Sequence, residues 1–108
     1  MDGHEIDAVA LGRAADEAAE FLKLLSNPAR LRILCALLPA EQCVGELERL
    51  LGASQSYVSG QLARMRAEGL VACEREGRMI RYRLNDARLG PVLERLYEVF
   101  CEPEVAAV

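Results

Sequence analysis

Three residues, Gly52-Ala53-Ser54, separate two helical patterns, and this connection constrains the fold more than any other feature of the chain. A helix from about Val44 to Leu51 stops at Gly52, which suits a left-handed C-terminal cap. Ser54, an N-cap residue type, opens the next helix. That helix continues to Glu68 with Val58, Leu62 and Met65 on its inner face, and Gly69 closes it. So short a Gly-containing connection is what a helix-turn-helix unit needs. The apolar period then changes from helical to alternating. LVACERE and MIRYRLN read as two short strands joined by Gly77-Arg78, a β-hairpin.

The flanks complete the order. From about Ile6 to Leu25, the residues Leu11, Ala14, Ala15, Ala18, Leu22 and Leu25 recur at helical spacing and predict one helix with an Ala-rich seam. Ser26-Asn27-Pro28 reads as a stop followed by a start. A second helix then runs to Leu38 with Leu31, Leu34, Cys35 and Leu38 on one stripe, and Pro39 ends it. The last helix, about Ala87 to Cys101, carries Leu89, Leu93, Leu96, Tyr97 and Phe100. Four helices, a hairpin and a closing helix predict a mainly α fold with a small β-hairpin: a winged helix-turn-helix with an added C-terminal helix. At 108 residues with no linker or repeat, the chain reads as one domain, frayed over 1–6 and ending in a tail over 102–108.

Composition narrows the setting. A domain this small shelters its apolar surface only modestly, so pairing through an apolar helix is expected. No apolar run approaches the roughly 18 residues that span a bilayer, and no secretory pattern opens the chain. Four cysteines without an export signal suit a reducing cytoplasm. The net charge of −4 conceals a basic middle. Residues 1–22 carry −5, whereas residues 54–88 hold seven arginines against Glu68, Glu74, Glu76 and Asp86, for +3. Local potential, not the total, governs phosphate contacts.

In a helix-turn-helix the second helix enters the major groove and meets base edges with its opening turns. Those turns carry Ser54, Gln55, Ser56, Tyr57, Ser59, Gly60 and Gln61, followed by Arg64. Gln pairs with adenine in the major groove, and Ser serves a phosphate or a base. The hairpin supplies a wing in which Arg75, Arg78, Arg81 and Arg83 surround Gly77, with Arg78 and Arg81 expected to contact phosphates. Read alone, these residues also fit a polar solvent face. Together with the turn and the wing they predict double-stranded DNA as the partner. No Cys-x-x-Cys, Gly-rich phosphate loop or paired carboxylates can be placed, so neither an enzyme nor a cofactor is expected.

The segments LLSNPARLRILCALL and CVGELERLLGASQSYVSGQLARMRAEGLVACEREGRMIRYRL resemble the ArsR family of bacterial winged-helix repressors over about residues 20 to 101. The resemblance implies a homodimer paired through its first and last helices, a palindromic operator, and release when an effector binds. The Ala seam and the Leu93-Leu96-Phe100 stripe suit that pairing. Ser56, Tyr57 and Gly60 depart from the family's common residues.

The effector turns on four cysteines and His4. Zinc-sensing members carry His on the last helix; this chain has Asp86 but Arg88 where a His is required, so that metal site is rejected. Cys43-Val44-Gly45 resembles the single-Cys form of arsenite and soft-metal sensors, which would need Cys35, His4 or another thiol beside Cys43. A small residue at a cap position is the plainer reading of Cys43. Cys35, with Cys101 closing the last helix, resembles the sulfide-responsive branch, the BigR and SqrR repressors, in which the matching thiols become linked. The expected effector is therefore a persulfide, polysulfide or related reactive sulfur species. Taken alone, Cys35 reads as a core thiol, and Cys73 as structural.

Overall fold

The computed structural model describes residues 5–101. It contains α1 (Ala8–Arg13), α2 (Ala15–Leu25), α3 (Pro28–Leu37), β1 (Gln42–Cys43), α4 (Val44–Leu51), α5 (Gln55–Ala67), β2 (Val71–Glu76), β3 (Met79–Leu84) and α6 (Leu89–Phe100). His4 and the 102–108 tail lie outside the described residues.

The expected single helix before Pro28 is interrupted at Ala14. The Ala14 amide reaches both the Ala10 and Leu11 carbonyls, tightening the turn, while the Ala18 amide still bonds to the Ala14 carbonyl. The break is thus a one-residue bend. Asn27 caps α3 as its position before Pro28 demands, with Oδ1 accepting from the Ala29 and Arg30 amides at 2.8 and 3.2 Å. Gly52 holds φ +62° and ends α4 in the left-handed conformation. Ser54 Oγ then accepts from the Tyr57 amide at 3.3 Å to open α5.

β2 and β3 pair antiparallel from Val71–Leu84 to Glu76–Met79, turning at Gly77 with φ +65°. A glycine with positive φ at the first central position gives the two-residue turn whose twist matches the strands. β1 adds a third strand in the order β1-β3-β2, pairing Gln42 with Tyr82 and Cys43 with Arg81. This strand fastens the wing to the start of α4. The Asn85 amide, bonded to the Leu70 carbonyl at 2.9 Å, closes the wing's base.

The core sits between α3, α4, α5, the wing's base and α6, built from Ile33, Leu34, Leu47, Leu62, Met65 and Leu89 among others. The expected α3 stripe divides. Leu34 joins Ile33 and Leu37 in the core, whereas Leu31 and Leu38 pack at its edge and, with the exposed Cys35, line the groove toward α6. Leu93 also belongs to the core and is not part of a free α6 face.

Candidate nucleic-acid interface and thiol groove

The α5 residues expected to meet DNA sort by exposure. Ser54, Gln55, Ser56, Tyr57, Gly60 and Arg64 are exposed, while Ser59 and Gln61 are half-buried. Ser54 is occupied as the cap, and Gln55 Nε2 donates to Ser59 Oγ at 3.0 Å. Ser56, Gly60 and Arg64 recur every fourth residue along one outer face. Space is open above Gly60, where an added Cβ would meet nothing within 4 Å. Val58, Leu62 and Met65, fully buried, hold that face outward.

The wing's arginines divide as well. Arg78 lies exposed at the hairpin tip, and among the described residues it makes no ion pair. Arg81 is half-buried and committed within the protein. Its Nε donates to Glu76 Oε1 at 3.1 Å, and its Nη1 lies 3.7 Å from Glu46 Oε1. The Glu76 hydrogen bond holds the Arg81 pKa above its ordinary value. Glu46 in turn accepts from the Cys43 backbone amide at 2.8 Å, and that bond keeps its carboxyl below the usual range. Arg81 therefore braces the wing against α4. The sequence offered no signal for this brace, because β1 is only two residues long.

Cys43 is the N-cap residue of α4, in agreement with the plainer reading of that position. Cys73 lies opposite Tyr82 in the sheet and is half-buried. Among the described residues no three His, Cys, Asp or Glu side chains gather where they could hold a metal ion. Asp86 accepts three hydrogen bonds from Arg88, Nε to Oδ1 at 3.0 Å, Nη2 to Oδ2 at 2.7 Å and the backbone amide to Oδ1 at 2.9 Å, which hold its pKa down. Arg88 also stacks over the Phe21 ring at 4.3 Å, joining the start of α6 to α2.

Cys35 and Cys101, 66 residues apart in sequence, line one groove of about 660 Å³ between α3 and α6. Both are exposed, which corrects the reading of Cys35 as a core thiol. From α3 and its C-cap come Leu31 and Leu38, one turn to either side of Cys35; from α6 come Leu96, Tyr97 and Phe100. Partial burial among these walls raises the Cys35 pKa, and the charge of Cys101 raises it further. Exposed apolar residues continue beyond the groove. Val9, Leu11 and Leu22 lie on α1 and α2, and Val99 lies on α6 beside the groove's own exposed Tyr97 and Phe100.

A family model described as bacterial regulatory protein, arsR family, matches residues 27–72. The biofilm growth-associated repressor of Agrobacterium fabrum (strain C58) is 41% identical over 104 residues, covering 96% of this chain and 89% of that protein. Among solved structures, the transcriptional repressor BigR from Xylella fastidiosa superposes with a TM-score of 0.75 at 38% identity, covering 91% of this chain and 97% of that one. Reduced HlyU from Vibrio cholerae N16961 gives 0.77 at 36% identity, covering 85% and 97%.

Proposed function

Since the chain belongs to the arsR family of bacterial regulatory proteins, we propose that it is a cytoplasmic, homodimeric transcriptional repressor of a palindromic operator, released when Cys35 and Cys101 become linked. The observation that carries the switch is that these two thiols, from different helices, line one groove. Three named relatives add support: the Agrobacterium protein and BigR are repressors, and the Vibrio protein was solved in a reduced form. Each protomer offers Ser56, Tyr57, Gly60 and Arg64 of α5 to the major groove and Arg78 to the phosphates. Gln55, Ser59 and Gln61 orient that surface from its edges.

The effector is a reactive sulfur species. The Cys101 thiolate attacks a polysulfide and takes one sulfur, expelling a polysulfide one sulfur shorter. The Cys35 thiolate then attacks Cys101 Sγ, forming a disulfide and releasing hydrosulfide. The two thiols are oxidised by two electrons, and the transferred sulfur is reduced. Closing a loop of 66 residues restrains the unfolded chain by on the order of 4 kcal/mol in the chain-entropy model. The link also ties α3 to α6, a helix of the proposed dimer interface. The two recognition helices must match one turn of DNA, about 34 Å, so a small rearrangement there weakens binding.

The test is fluorescence anisotropy with DNA from the protein's own upstream region. Reduced protein should bind, and polysulfide-treated protein should bind weakly. Cys35→Ser and Cys101→Ser should each stay bound under polysulfide, whereas Cys43→Ser and Cys73→Ser should release. If Cys43→Ser alone abolishes the response and arsenite releases the wild type, Cys43 is a soft-metal ligand and the thiol-link reading is wrong.

A further inference from the structure

Resting on that thiol-switch reading, we propose that the α3–α6 groove selects its sulfur donor by polarity, taking neutral apolar organic polysulfanes in preference to charged donors of the glutathione type. The groove's volume of about 660 Å³ suits a small organic molecule. Its walls around the thiols are Leu31, Leu38, Leu96, Tyr97 and Phe100. Among the described residues its one charged lining side chain is Glu94, an exposed carboxylate. A glutathione arm brings carboxylates of its own. They meet repulsion from Glu94 and no lining cation, since the nearby Arg95 is paired with Glu98 at 2.9 Å and does not line the groove. An alkyl arm instead removes its methylenes from water against leucine and aromatic surface.

The chemistry closes with one donor. The Cys101 thiolate attacks an outer sulfur of a dialkyl trisulfide, forming a mixed disulfide and expelling an alkyl perthiolate. The Cys35 thiolate then attacks Cys101 Sγ, forming the Cys35–Cys101 bond and expelling an alkyl thiolate. The protons of the two thiols end on the perthiol and the thiol. The protein loses two electrons and the trisulfide gains them.

The experiment compares dipropyl trisulfide with glutathione trisulfide, which share the reacting S–S–S unit. Rates of Cys35–Cys101 link formation are read by mass spectrometry on the full-length reduced protein. Each rate is divided by the same donor's rate with a small neutral thiol. Burying a few methylenes at about 0.8 kcal/mol each corresponds to a normalised preference for dipropyl trisulfide of about tenfold or more. Glu94→Gln should narrow the preference by speeding glutathione trisulfide, and Leu38→Thr, a groove wall away from the proposed dimer contact, should narrow it by slowing dipropyl trisulfide. A ratio of one or below with the link formed overturns the polarity selection and leaves the thiol switch standing. If neither donor forms the link while both react with the small thiol, both readings fall.

Discussion

Partial desolvation and then the charge of Cys101 across the groove both disfavour the Cys35 thiolate. Its pKa is raised, so its alkylation rate should still be climbing at pH values where an ordinary thiol has levelled off. In Cys101→Ser the midpoint of the iodoacetamide pH profile should fall, because one of the two causes is gone, yet stay above that of a free cysteine. An unchanged midpoint would mean that the two thiols do not sense each other. Arg78 and Arg81 differ in the same local way. Arg78→Ala should weaken binding to all DNA sequences and lower the salt slope by about one. Arg81→Ala leaves Glu46 and Glu76 without their shared cation, so its main effect should be faster amide exchange in β1 and β3. Exchange at the wild-type rate would show that Arg81 is no brace. The cluster of arginines around Gly77 was legible in the sequence; which guanidinium is already engaged was not. That depends on Glu76, which the hairpin register sets near Arg81, and on Glu46, 35 positions from Arg81 and brought close only by the sheet.

At the scale of elements, caps and turns carried the signal. Asn27 before Pro28, Gly52 before Ser54, and Gly77 in the hairpin all act as their residue types require. Asn27→Ala should cost about 1 kcal/mol in denaturant unfolding, since two first-turn amides lose their acceptor. Gly60→Ala should stabilise the fold by up to about 1 kcal/mol, because the helix interior favours Ala and the site is open. A loss of stability there would show that the space above Gly60 is not open. The expected helix bounds for α3 to α6 fall within a residue or two of those found. The failures share a cause. A two-residue strand has no alternation to detect, and a one-residue bend at Ala14 leaves the apolar period intact. The α3 stripe reads as one face, but its residues divide between the core and the adjoining groove, with Leu31 and Leu38 at the boundary.

At the scale of the whole molecule, the protomer is more extended than its length requires: its radius of gyration is 16.0 Å, against about 13 Å for a compact domain of this size. None of the α1 residues is buried, and Phe100 on α6 is 72% exposed. These helices are surfaces awaiting a partner, which favours the proposed homodimer. Light scattering should give close to twice 11.9 kDa. Leu11→Asp combined with Phe100→Asp should yield a monomer that loses operator binding; a wild-type monomer at micromolar concentration would remove the two-half-site geometry. The helix α3 stands between two environments. On one side it presents Ile33 and Leu34, with no exposed surface, to a core shared with α4 and α5; on the other it carries Cys35. Close-packed interiors are nearly incompressible. The helix therefore behaves as a stiff bar between two chambers, and a load applied on its outer side is delivered to the inner side without backlash.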